Sequence, residues 1–385
     1  MSTLYIGVTT FQLITILNMR TNMDTPKGDL ILSERNIPNV YFIKDRIVEK
    51  NIFNKVVVLK NYDSRFSSVL KGKNSLGRFL KQAYKRHFSR SDINYFLDSE
   101  QNIDFKDYDE VYCFDKELID VIKKFKNISI NMIDEGIGAY TNYYANYFER
   151  FNKIFLYKPP LAIYYEKYKE KIHLIPALDF KKEFRYLLND IWGYKDIIQF
   201  GENAIIFADQ PFKLLPKYYS NLPSFVKRNI ITKSKRYKKF LNDQRTISFF
   251  VGIIKRLRER NSNIVVKMHP RSSAEMKMYY EEEGLTVLED TVIPWEIIFL
   301  NLRKGNVNLI AIHSTIAFGL SIYFSNTEVE HKSAFLFGMA TEDCGILMSK
   351  EAVEYFEGYI VKLKRVRNVK SYEELEEFLF NNNLK

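Results

Sequence analysis

Three short peptides carry residue types that can do chemistry: Asp134-Glu135-Gly136, His269-Pro270 and His313-Ser314-Thr315. Each follows an apolar run of strand character, Ile128–Ile133, Ile264–Met268 and the run ending in Ala311-Ile312. A carboxylate beside glycine can take the proton of an attacking hydroxyl, and the glycine lets the chain turn sharply there. A protonated imidazole at a strand end can bind a phosphate oxygen and stabilise a leaving group by charge or by donating a proton. Adjacent hydroxyls at a strand-to-helix turn, with backbone N–H groups free, cradle a phosphate without a metal. Lys267 and Arg271 add positive charge on either side of His269-Pro270. A fourth peptide, Pro294-Trp295-Glu296, offers a carboxylate at a helix start that can accept bonds from ribose hydroxyls. If these strand ends share a cleft of an open α/β protein, the set suits sugar transfer from a nucleoside-monophosphate donor.

Each peptide also has a plain structural reading. Asp-Glu-Gly is an ordinary acidic turn before a helix, and Ser314 or Thr315 would cap the helix expected over 316–321. Glu296 complements a helix dipole, and His269 can be a structural histidine. Taken singly, Asp134-Glu135-Gly136 and Glu296 carry little weight; their joint placement carries more.

The elements that must position these residues alternate between strand and helix, as βα units with a parallel sheet require. Strands are expected at 4–8, 29–32, 55–59, 110–114 and the run ending at Asp134, with a crossover helix near 118–125. Thr9 or Thr10 is placed to cap a helix beginning near Leu13. Residues 140–200, rich in Tyr, Phe and Lys and broken by Pro159-Pro160, give no clear assignment. A second alternation opens at 204–207. Ile247, Phe250, Val251, Ile254 and Leu257 have the spacing of an amphipathic helix. Next come the strand to His269, a helix over 273–283, a strand at 285–288, a helix from Pro294 and the strand to His313. Ser371-Tyr372-Glu373-Glu374 has a capping-box form and opens a short terminal helix. The expectation is two Rossmann-like domains, 1–200 and 201–370, followed by a helix over 371–385.

At 385 residues the chain exceeds one typical core, and 46% hydrophobic with 27% charged residues fits a globular protein. No apolar stretch is long enough to span a bilayer, and the amino terminus lacks a basic leader. Cys113 and Cys344 are too few for a disulfide scaffold or a zinc site. A cytoplasmic location is expected. The net charge of +11 is unevenly placed, with seven basic residues from Lys71 to Arg90 interleaved with Leu76, Phe79, Leu80 and Phe88, and a second cluster over 227–239. The first could lie on the cytoplasmic face of an inner membrane or on an anionic glycan, although a solvated helix face is the simpler reading. No nucleic-acid-binding pattern accompanies the charge.

Other activities are set aside. Asp107-Tyr108-Asp109 has the form of a metal-binding Asp-X-Asp, but it precedes a strand instead of following one. No G-x-G-x-x-G or P-loop is present, and the five histidines lack HExxH spacing.

With these residues in view, the chain resembles bacterial sialyltransferases of the GT-B type, particularly the lipooligosaccharide sialyltransferases of glycosyltransferase family 52. It is also similar to bacterial capsule polysialyltransferases. The matching elements are Asp134-Glu135-Gly136, His269-Pro270 and Ser314-Thr315, in that order. Tyr5 to Leu13 looks like the family's opening strand and Thr-Pro-x-Gln-Leu turn, with Thr10 where Pro is commoner. Ala208-Asp209-Gln210-Pro211 and Ile293-Pro294-Trp295-Glu296 look like two further family segments. The resemblance implies an acceptor-binding N-terminal and a CMP-binding C-terminal domain facing across a cleft, with a terminal helix that could pack back on the N-terminal domain. It implies inverting, metal-independent transfer from CMP-sialic acid to a glycan hydroxyl in capsule or lipooligosaccharide assembly, with no cofactor beyond the donor. Asp134 would be the base with Glu135 the alternative. His269 would assist the leaving group, and Lys267, Pro270, Glu296, His313, Ser314 and Thr315 would line the donor site. A CDP-glycerol-type glycerophosphotransferase and a non-catalytic glycan- or membrane-binding member of the fold are the competing readings.

Overall fold

The computed structural model describes residues 2–59, 103–115, 127–141, 145–195, 203–210, 235–269, 272–288, 292–302, 306–312, 316–324, 330–339 and 365–381, with a few isolated positions between. The chain divides into two compact units, Met1–Lys195 and Asp196–Lys385. Among the described residues the first unit holds β1 (Thr3–Gly7), β2 (Asp29–Ser33), β3 (Val56–Leu59), β4 (Glu110–Cys113), β5 (Ser129–Ile133), β6 (Lys153–Leu156) and β7 (Ile172–Leu174). They form one parallel sheet in the order β3-β2-β1-β4-β5-β6-β7.

Helix α1 (Thr10–Asn22) connects β1 to β2, and α2 (Val40–Glu49) connects β2 to β3. Thr9 caps α1, its side chain accepting from the Gln12 N–H at 3.2 Å. Gln12 in turn accepts from the Val8 N–H at 2.8 Å, a reciprocal arrangement close to a capping box. Every residue from Gln12 to Met19 is buried, because α1 packs both on the sheet and on α3 (Lys182–Trp192). A helix covered on two sides has no solvent-facing stripe over this stretch. Gly28 is required by a close approach, since a Cβ there would collide with the Thr3 carbonyl.

The second unit is built on β8 (Ala204–Ala208), β9 (Ile264–Lys267), β10 (Thr286–Val287), β11 (Asn306–Ala311), β12 (Glu330–Phe335) and β13 (Val366–Asn368). Their order is β10-β9-β8-β11-β12-β13, again all parallel. Among the described residues its helices are α4 (Lys235–Arg258), α5 (Ala274–Glu282), α6 (Trp295–Leu300), α7 (Ile316–Tyr323) and α8 (Tyr372–Phe380). Ile247, Phe250, Val251, Ile254 and Leu257 are all buried, as their spacing on α4 predicts. Ser273 caps α5 and Ser371 caps α8. The terminal helix belongs to the second unit. It contacts β12, and the Arg256 guanidinium lies 3.6 Å over the Tyr372 ring.

In each sheet the first three strands step outward to one side, and the fourth begins on the other side of the first. The chain therefore reverses direction between β1 and β4 and again between β8 and β11. In open α/β sheets the carboxyl ends beside such a reversal are where ligands bind. The α/β class with two Rossmann-like units is as the sequence predicts. Four strands were not foreseen: β6, β7, β12 and β13. No helix among the described residues is long and apolar enough to cross a membrane.

Candidate functional site

In the first unit, β5 delivers Asp134 at the carboxyl edge of the sheet. Its side chain is fully buried. One oxygen accepts from the Gly136 N–H at 2.9 Å, and the other accepts from the Tyr140 hydroxyl and from the Tyr157 N–H at 3.3 Å. Gly136 has φ 118°, a conformation that side-chain-bearing residues rarely adopt. The carboxylate thus closes a turn only glycine can make. Burial pushes its pKa up to about 7, against the pull of Tyr140 and the two amides. Glu135, the next residue, is half-buried and keeps part of its surface accessible. The two acids of the pair have different surroundings.

The neighbouring strand ends are tied to the same edge. The Tyr140 hydroxyl also accepts from the Lys158 N–H at 3.3 Å. Asn18 of α1 donates to the Tyr157 hydroxyl at 3.2 Å and to the Pro176 carbonyl at 2.7 Å. The buried Gln12 donates to the Phe114 carbonyl at 2.9 Å, joining the turn after β1 to the end of β4. The polar pattern of α1, with Gln12, Thr15 and Asn18 buried, pins the ends of β4, β6 and β7 from one helix.

In the second unit, register places Lys267, Ala208 and Ala311 in one row across β9, β8 and β11. Just past that row lie Asp209 and His269. Asp209 is buried, and its carboxylate accepts from the Ser272 hydroxyl at 2.5 Å, the Tyr280 hydroxyl at 2.7 Å and the His269 N–H at 3.5 Å. Burial raises its pKa while Ser272 and Tyr280 oppose the rise. His269 itself is half-buried. Lys267 is buried, with its ammonium 3.5 Å from the Met268 carbonyl. Glu296, in the first turn of α6, is half-buried. Desolvation raises its pKa and the charge of Lys267 opposes this. Lys267, His269, Asp209 and Glu296 therefore cluster on the carboxyl side of this sheet, where a positive edge meets a carboxylate.

Pro270, His313, Ser314 and Thr315 lie outside the described residues, as do Arg271, Gln210's neighbour Pro211 and the basic cluster from Lys71 to Arg90. The strand before His313-Ser314-Thr315 is β11, immediately beyond the chain reversal, and α7 begins at Ile316. The Asp-X-Asp peptide sits at the other edge of the first sheet. There a shallow polar hollow lined by Ser2, Lys27, Asp29, Asn54, Tyr108 and Asp109 opens at the amino ends of the strands. Its acids are already bonded, Asp29 by the Tyr108 hydroxyl at 2.6 Å and Asp109 by the Ser2 N–H at 2.8 Å.

The sequence singles out Asp134 and His269 but gives no role to Tyr140 and Tyr157, which hold Asp134, or to Ser272 and Tyr280, which hold Asp209. A tyrosine several residues after a strand-end acid is a faint signal, because the partners come from turns and helices whose spacing is not fixed by the motif.

No family model matches the chain, and no curated protein matches it in sequence. Its structure is similar to that of an alpha/beta-galactoside alpha-2,3-sialyltransferase from the luminous marine bacterium Photobacterium phosphoreum, with 11% identity, 95% of this chain and 97% of that chain covered, and a TM-score of 0.46. It is similar to UDP-GlcNAc 2-epimerase from Neisseria meningitidis bound to UDP-GlcNAc, at 11% identity over 98% of this chain and 90% of that chain, TM-score 0.48. A third similar structure is a Photobacterium 2,6-sialyltransferase in ternary complex with CMP and lactose, at 10% identity over 98% of this chain and 76% of that chain, TM-score 0.45.

Proposed function

We propose that the chain is an inverting, metal-independent glycosyltransferase that moves sialic acid from CMP-sialic acid to a glycan hydroxyl, galactose-terminated acceptors being the first to test. The observation that carries the reading is the cluster at the carboxyl edge of the second sheet. Lys267 ends β9 and His269 lies two residues beyond it, beside the buried Asp209 that follows β8, at the chain reversal next to β11. A cationic strand end of this kind suits a single phosphate, and Glu296 supplies an acceptor for ribose hydroxyls. CMP leaves as a monoester, so no pyrophosphate charge calls for a divalent cation.

In this reading the acceptor oxygen attacks the anomeric carbon, the bond from that carbon to the CMP phosphate oxygen breaks, and CMP departs. His269 meets the charge that develops on the departing phosphate. The hydroxyl proton passes to a carboxylate of the Asp134-Glu135 pair. Glu135 is the better assignment, because Asp134 has no accessible surface and both its oxygens already accept bonds. Ser314, Thr315, His313 and Pro270 would complete the donor site. The proposed location is cytoplasmic, with peripheral contact to the inner membrane through the basic cluster near Lys71–Arg90.

The test is to offer the purified protein CMP-sialic acid with lactose and, separately, CDP-glycerol with a glycerol-phosphate primer. Sialyllactose formed only from the first pair is the expected result; product only from the second would replace the reading with a glycerophosphotransferase. His269→Ala should lower kcat by at least about 100-fold with an unchanged circular-dichroism spectrum.

A further inference from the structure

Asp209 is a buried carboxylate that the proposed reaction does not use. It sits one residue past the end of β8, where the backbone ladder to β9 is closing, the Asp209 N–H donating to the Lys267 carbonyl at 2.9 Å. Beyond that bond the chain after β9 turns, and the Ser272 N–H donates to the His269 carbonyl at 2.8 Å. Both ends of this turn are tied to the one carboxylate, the His269 N–H and the Ser272 hydroxyl sharing the same oxygen. The other oxygen accepts from Tyr280, two residues before the end of α5. An apolar residue would fill this position at lower desolvation cost, so a buried carboxyl group with three donors speaks for specified geometry more than for stability. The Ser272 and Tyr280 bonds are short and the His269 bond is the long one at 3.5 Å; three donors from two segments converge on one carboxyl group and restrict the main chain at His269.

We infer that Asp209 is a positioning residue for His269: by fixing both ends of the His269–Ser272 turn it sets where the imidazole stands. The inference deepens the proposed function, because the positioned imidazole is the group assigned to the departing phosphate. Asp209 touches no reacting atom. It acts through the turn, and its loss should matter only as far as His269 matters.

A double-mutant cycle reads this out. Asp209→Asn should lower kcat about 10- to 100-fold with the acceptor KM unchanged, and Ser272→Ala should do the same to a smaller extent. In the His269→Ala background, adding Asp209→Asn should cost no more than about twofold, because residues acting as a unit are not additive. Losses that multiply across the two substitutions would overturn the inference. If Asp209→Asn does not fold, Ser272→Ala and Tyr280→Phe carry the same cycle. Should the wild-type protein transfer nothing from CMP-sialic acid, the proposed function fails, but the positioning can still be read by NMR. The ring resonances of His269, identified by their absence in His269→Ala, should shift in Asp209→Asn and Ser272→Ala; unmoved resonances in both would overturn it.

Discussion

Asp134 and Asp209 occupy corresponding places in two sheets and do different work. Each follows the last residue of a parallel strand, each is buried, and each accepts from a tyrosine hydroxyl and a backbone amide. In both, burial raises the pKa. Their partners differ in origin. Asp134 is held by Gly136 and Tyr140 of its own turn, with Tyr157 from the next strand end. Asp209 is held by His269, Ser272 and Tyr280, all from the chain after β9. One carboxylate is bonded within its own turn, next to Glu135; the other is bonded to the segment after the neighbouring strand, next to His269. In both cases the acid itself is buried and the half-buried residue, Glu135 or His269, is the one to which the proposed reaction gives a role.

The sharpest way to break this comparison is to neutralise each acid of the pair in turn. Glu135→Gln should lower kcat by more than about 100-fold, the scale of a lost general base, with CMP affinity by calorimetry unchanged. Asp134→Asn should cost about tenfold or less in kcat, through loosening of the turn. The reverse order of effects would make Asp134 the base and would require its carboxylate to become accessible when the acceptor binds.

How much of this was legible in the sequence follows the same division. The apolar runs of β1, β2, β8 and β9 announce buried parallel strands, and the acid, histidine and hydroxyl peptides announce their ends. β12 went unread because Glu330-His331-Lys332-Ser333 looks polar, yet His331 and Ser333 are buried. β7 is an edge strand of three residues with Leu174 63% exposed, so it lacks the apolar signature of a covered strand. β6 lies in a stretch so rich in aromatics that period and burial cannot be separated. In the site, the sequence could not say which acid of the pair is accessible, since that depends on Tyr140 and Tyr157. Asp209 drew notice only as part of a family-like segment, because its three partners lie 60 or more residues away.

Stability against pH tests the burial of Asp134 directly. Its pKa is raised to about 7 in the folded chain, so folding favours its protonated form. The stabilisation is fully present below the unfolded value, falls as pH rises between the two values, and is lost above about 7. Through that window the contribution should fall by about 1.4 kcal/mol per pH unit, measured by urea denaturation from pH 4.5 to 7.5. Asp134→Asn should flatten this slope. An unchanged slope would mean that the carboxylate is ionised and hydrated in the folded chain. Gly136→Ala comes next in size. Its φ of 118° is open to glycine but strained for alanine, so a loss of about 1–3 kcal/mol is expected, without any change in the pH slope.

The smallest expected effect compares the helix that opens each unit's site. Thr9 caps α1 and Ser273 caps α5, each hydroxyl accepting a backbone amide three residues on. An ordinary cap is worth about 1 kcal/mol, and Ser273→Ala should lose that amount or less, since its bond is 3.4 Å long. Thr9 stands beside Gln12, which bridges Val8 to the Phe114 carbonyl at the end of β4. Losing the Thr9 bond loosens the first turn of α1 and with it the Gln12 bridge, so Thr9→Ala should cost more than Ser273→Ala. Gln12→Leu, which removes the bonds that Gln12 makes to the Val8 amide and the Phe114 carbonyl, should cost about 1–3 kcal/mol. In the Gln12→Leu background Thr9→Ala should then fall back to the value of a simple cap. Equal costs for Thr9→Ala in both backgrounds would mean that cap and bridge are independent, and that α1 does not couple the turn after β1 to the end of β4.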